Sequence, residues 1–271
     1  MKHIFTIALS LFCLYAGAQT EAAKATSTSA GFKRLYVGVS TTQGVGYRLL
    51  VKNPKVTADA GWTYVDDYTI ESRNNREKPS YATNTGIRLG VNITTCLSLE
   101  TGVGYAYNSY KANSGQLIFG SQWNGNGYDP INSDSLGLPS SVTFNYAYHF
   151  ISIPLAVNIA IGQKRVRALI STGANFDVLV KATTSSHWDN EPSHKYTSDL
   201  TSRYSAFNLC PFLGIGIDYQ INNLMSLRVM PIAYFQALHN VKGTPLTEHL
   251  YSGGINVALN FGFIEANAGK K

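Results

Sequence analysis

The strongest signal along the chain is an alternation of apolar and polar positions with a period of two. Ile87, Leu89, Val91 and Ile93 are apolar, with Arg88, Gly90 and Asn92 between them. After Thr94-Thr95-Cys96, the residues Leu97, Leu99, Val103, Tyr105 and Tyr107 share one parity, and Ser98, Glu100, Gly102, Gly104 and Ala106 share the other. Successive side chains of a strand point to opposite faces, so each stretch predicts a strand with one apolar side. Together the two predict a hairpin with a short turn. The pattern recurs in Ile151, Ile153, Leu155, Val157 and Ile159, which lead through Gly162-Gln163-Lys164-Arg165 to Ala168, Ile170, Thr172, Ala174, Phe176 and Val178. A third hairpin runs from Leu209, Leu213, Ile215, Ile217 and Tyr219 through Ile221-Asn222-Asn223 to Leu227, Val229, Pro231, Ala233 and Phe235. A first strand at Leu35, Val37 and Val39 and a last at Ile255, Val257, Leu259, Phe261 and Phe263 bring the count to eight. Val45, Tyr47, Leu49 and Val51 keep the parity of the first strand, which predicts an extension of it.

The spacers between these hairpins are long, over residues 43–84, 109–145, 181–205 and 237–250, and are rich in Asn, Ser, Gly and charge. Long loops on one side and tight turns on the other are the pattern of barrels that cross a bacterial outer membrane. Pairing of the first and last strands removes the sheet edges, which lipid requires because it offers no water to unpaired backbone groups. The expected fold is therefore all-β, an eight-stranded antiparallel transmembrane β-barrel with short periplasmic turns and four long extracellular loops. A soluble sandwich or lipocalin-like barrel also alternates, but it turns its polar set outward. The Gly, Asn, Ser and Asp set here is too small to cover such an exterior.

The N-terminus supports export. Met1-Lys2-His3, the apolar run Ile4 to Leu14 and Ala16-Gly17-Ala18 follow the order of a signal peptide, expected over residues 1–18. A flexible periplasmic leader is expected over 19–31, the barrel over 32–263 and a flexible tail over 264–271. Past the leader no apolar run approaches eighteen residues, which excludes a helical span on length. The formal charge of +6 does not point to nucleic acid, which an exported protein does not normally meet. Scattered loop Lys and Arg instead suit anionic membrane lipid and lipopolysaccharide. Cys96 and Cys210 are the cysteines left after cleavage, and nothing in the sequence demands a disulfide between them.

The stretches LSLETGVGYAY (97–107), FISIPLAVNI (150–159), ALISTGANF (168–176) and PFLGIGIDY (211–219) resemble the PorT-like, or porin-family, outer-membrane β-barrel domain of the Bacteroidetes type. The resemblance implies an eight-stranded barrel inserted by the outer-membrane assembly machinery, with an accessory role in secretion.

An eight-stranded barrel is only wide enough for its inward side chains to fill it. The inward parity contains Arg88, Glu100, Asp177, Asp218 and Arg228, and an unpaired buried charge is costly. Counting from the turns puts Arg88 level with Glu100 and Asp218 level with Arg228, so two inward salt bridges are expected, acting as a structural plug. His149, His187, His194, His239 and His249 form no HExxH or triad spacing, and no cofactor or metal is expected. The expectation is a non-enzymatic envelope or secretion-accessory barrel in the cell outer membrane. The alternative is a surface binder or adhesin using loop aromatics such as Trp62, Trp123, Tyr128 and Trp188, ahead of a small-solute channel or a loop-site enzyme.

Overall fold

The computed structural model describes residues 33–53, 67–115, 117–123, 128–132, 139–162, 165–189, 195–222, 224–238, 241 and 246–265. The expected signal peptide and leader, and residues 266–271 of the expected tail, lie outside these. Eight long strands build the wall: β1 (Lys33–Lys52), β2 (Glu77–Asn92), β3 (Leu97–Asn113), β6 (Val142–Ile161), β7 (Val166–Trp188), β9 (Phe207–Gln220), β10 (Met225–Phe235) and β11 (Leu246–Glu265). Helix α1 (Asp67–Arg76) precedes β2, the hairpin β4 (Ile118–Trp123) and β5 (Tyr128–Asn132) lies between β3 and β6, and the short strand β8 (Lys195–Asp199) lies on β7.

Each wall strand pairs with its neighbour in sequence, and β1 pairs with β11, so the sheet closes on itself as an antiparallel ring of eight. The register is continuous over much of the wall. It runs from Ile161↔Ala168 to Val142↔Trp188 between β6 and β7, broken by one bulge after His149. The tight connections join β2 to β3, β6 to β7 and β9 to β10, and all three lie at one end.

Burial is inverted relative to a water-soluble domain. Outward residues such as Val39, Ile87, Leu155 and Ile215 are 54–59% exposed, whereas Ser40, Arg88, Asn158, Asn175, Asp218 and Asn256 are buried. This inversion excludes the soluble-barrel rival, because only a hydrocarbon surrounding makes an apolar exterior favourable. Outward aromatics mark the edge of the apolar band farther from the tight turns: Tyr81, Tyr105, Phe207, Phe235 and Tyr251. Tyr and other aromatics concentrate where lipid meets water.

The strands are longer than the sequence pattern gives. A tilted strand crosses a bilayer in about 9–11 residues, and β7 has 23. Its outward positions, Thr172 apart, are apolar up to Val180 and then change to Lys181, Thr183 and His187. Beyond the lipid no rule requires an apolar outer face, so alternation ends although pairing continues. The extension of β1 expected from Val45, Tyr47, Leu49 and Val51 is present, and much of what reads as loop at 77–84, 109–113, 142–145, 181–188 and 246–250 is strand as well.

Candidate functional site

The interior is the place where chemistry-bearing side chains converge. Near the tight turns, Glu100 of β3 is the centre of a network. Its Oε2 accepts from Arg228 Nη1 at 2.8 Å, Tyr36 Oη at 3.0 Å and Asn158 Nδ2 at 3.4 Å. Arg228 Nη2 donates to Tyr36 Oη at 3.3 Å, and its guanidinium carbon stands 5.1 Å from the centre of the Tyr36 ring. Arg228 Nε reaches Asp218 Oδ1 at 3.4 Å, and Arg167 supplies a second pair to the fully buried Asp218. Arg88 Nη1 lies 3.9 Å from Glu100 Oε1, and its Nε donates to Ser40 Oγ at 2.9 Å.

Four of the five residues singled out by parity thus lie in one chain of contacts rather than in two separate pairs. Glu100 links them across the lumen, from β3 to β10. Arg167 shares the inward parity of Ser171 and Asn175, so alternation could have found it.

The fifth residue corrects the expectation of pairing. Asp177 is buried, yet no ion pair to it occurs among the described residues, and its Oδ1 has no hydrogen-bond partner. The residues opposite it in register are Ser152 and Asn208, neither of them basic.

A second network, which parity did not point to, lies toward the other end. Arg48 of β1 grips Glu77 of β2 with two hydrogen bonds, one from Nε at 2.7 Å and one from Nη2, and gives Nη1 to Glu248 of β11 at 2.8 Å. Such fork geometry is the strong form of an ion pair. Tyr148 Oη donates to Glu248 Oε1 at 2.8 Å and stands 3.0 Å from Tyr204 Oη, from which it can accept, while the Arg48 guanidinium lies 4.6 Å over the Tyr110 ring. Tyr204 arrives from outside the wall strands. The 3-10 helix Thr201–Arg203 sets it there, held to β7 by Leu200 N to Ala182 O at 2.8 Å and by Ala182 N to Thr201 Oγ1 at 3.0 Å. Burial, with the Glu248 carboxylate nearby, pushes the Tyr204 hydroxyl up to about 12. The lumen holds a cavity of about 40 Å³ and one of about 20 Å³, the smaller lined in part by Arg88, Glu100 and Arg228.

The family described as outer membrane protein beta-barrel domain matches residues 19–243. The chain belongs to that family. It is a barrel of the outer membrane, and the tight turns of such barrels face the periplasm while the long connections face outside. Comparison with curated proteins gives no match. Similar solved structures include neisserial surface protein A, 10% identical over 88% of this chain and 100% of that one, with a TM-score of 0.40. The outer membrane protease OmpT of Escherichia coli is 10% identical over 85% and 97%, with a TM-score of 0.45. The attachment invasion locus protein Ail of Yersinia pestis, in a complex with the heparin analogue sucrose octasulfate, is 8% identical over 83% and 99%, with a TM-score of 0.32.

On this outer-membrane barrel the Arg48 network is the extracellular one. His149 sits on the outer face, bonded through Nδ1 to Tyr105 Oη, with the Tyr107 ring 5.1 Å away. Cys96 lies in a periplasmic turn and Cys210 inside the lumen, and both are free thiols. Of the loop aromatics, Trp62 lies outside the described residues. Trp123 and Tyr128 occupy directly paired positions of the β4–β5 hairpin, and Trp188 ends β7 with its indole nitrogen buried and unpartnered.

Proposed function

We propose that this protein is a non-enzymatic outer-membrane barrel whose lumen is sealed by its own side chains, with a structural role in the envelope or as an accessory to secretion. One observation carries this reading. Two ion-pair networks, one toward each end, cross the interior, and cavities of about 40 and 20 Å³ lie beside their side chains, which supports a sealed lumen. The engagement of His149 with Tyr105 and of His249 Nδ1 with Gln236 O at 3.0 Å supports structural rather than catalytic duties for these two histidines. The PorT-like pattern at 97–107, 150–159, 168–176 and 211–219 favours the secretion-accessory form of the role. Membrane lipid and lipopolysaccharide are its surroundings, and the assembly machinery is its partner during insertion.

A second reading, a surface binder, draws support from the second extracellular loop, which forms its own β4–β5 hairpin with Trp123 opposite Tyr128. Replacing residues 116–139 by a short Gly-Ser linker separates the two. A body-borne role predicts that the shortened barrel restores detergent resistance to a deletion strain as fully as the intact protein does. Failure of a correctly inserted shortened barrel to restore it places the role in the loop.

A further inference from the structure

The cavity of about 40 Å³ lies at mid-lumen and is lined by Asn84, Asn108, Asn175, Asp177, Cys210 and Tyr234 among others. Three buried oxygens on its lining, Asn108 Oδ1, Asn175 Oδ1 and Asp177 Oδ1, have no hydrogen-bond partner. Ser152, directly opposite Asp177 in the β6–β7 register, turns its hydroxyl toward the Asp177 carboxyl. Three donors near it are engaged by other groups. Tyr234 Oη pairs with Thr42 Oγ1 at 3.2 Å, and Asn208 Nδ2 donates to Leu238 O at 3.0 Å. The guanidinium of Arg88, which lines the neighbouring cavity, is engaged by Glu100 and Ser40. The site therefore holds unpartnered oxygens, one of them from a carboxylate with no positive charge paired to it among the described residues. Leaving such groups unsatisfied in a buried place costs far more than leaving them in water.

We infer that this cavity is a binding site for a single monovalent alkali cation, with the Asp177 carboxylate supplying the charge and the neutral oxygens of its neighbours supplying further ligands. Oxygen donors select hard cations. Among the described residues no group of three or more His, Cys, Asp or Glu side chains is gathered to hold a metal, so a single carboxylate matches a single positive charge. The volume admits a bare or partly hydrated ion and excludes a bulky organic cation.

The test uses the full mature barrel refolded in detergent micelles, with its unfolding midpoint measured in NaCl or KCl and in choline chloride at equal ionic strength. An ion that binds only the folded state raises the midpoint by mass action. The expected result is a higher midpoint in the alkali salt, a difference that Asp177→Asn abolishes. Equal midpoints in choline and alkali salts would mean a neutral, hydrated carboxyl and overturn the site, as would an undiminished alkali response in Asp177→Asn. Should that variant not refold, Asn175→Ala reports instead. A smaller response supports the site, and an unchanged one overturns it. Conductance is read separately, so this result and the sealing of the lumen fail independently.

Discussion

Arg228 Nη1 and Glu100 Oε2 meet at 2.8 Å across the lumen, although the two residues are 128 positions apart and sit on strands that do not pair. This contact joins the β2–β3 hairpin to the β9–β10 hairpin across the interior. Each partner is about nine-tenths buried, so removing one leaves the other's charge with less compensation. Breaking a buried pair in this way costs about 3–5 kcal/mol. Arg228→Met is expected to lower unfolding stability in urea by that amount. The double variant Arg228→Met with Glu100→Met should recover part of the loss, which a double-mutant cycle measures directly.

Gly90 predicts a second effect on the same network. A Cβ at this position would run into the ring of Tyr36, the residue whose hydroxyl bonds Glu100. Overpacking of this kind costs about 1–3 kcal/mol. Gly90→Ala should destabilise the barrel by that much, and Tyr36→Leu combined with Gly90→Ala should lose less than the sum of the two single changes, read by unfolding midpoints.

The extracellular network gives a pH dependence with a definite sign. Tyr204 has a folded-state value of about 12 against an ordinary 10, raised by burial and by Glu248. A group whose folded value is raised contributes its full stability below pH 10 and loses it as the pH climbs toward 12. The loss amounts to roughly 2–3 kcal/mol for a shift of about two units. Stability measured against Tyr204→Phe should therefore fall between pH 10 and 12, with the variant lacking that slope. A flat difference across this window would contradict the burial of the hydroxyl.

The sequence made the membrane part of the wall legible because lipid imposes the alternation that reveals it. Ile151 to Ile159 and Ala168 to Val178 face outward as their parity requires, and Arg88, Glu100, Asp218 and Arg228 face inward. Apart from that of β1, the extracellular extensions were not legible, for the same physical reason. Outside the bilayer both faces of a strand accept polar residues, so the stretches around Glu77 and Glu248 read as loop, and although Arg48 lies on the predicted extension of β1, its network was missed. Parity also gives a residue's face and its level along the strand but not what meets it across an enclosed space. The sequence therefore pointed to the hairpin neighbours of Arg88 and Arg228, while the shortest contact of Arg228 crosses the lumen. Asp177 was expected to pair because its parity is inward. No basic residue stands opposite it in register on either side.

The central claim is that the interior side chains seal this barrel. Reconstitution of the mature protein into planar bilayers tests it most directly, by single-channel recording under an applied voltage. Sealing by the Arg48 and Glu100 networks predicts a baseline without steady open steps. Steady, ohmic openings from the purified wild-type barrel would contradict it.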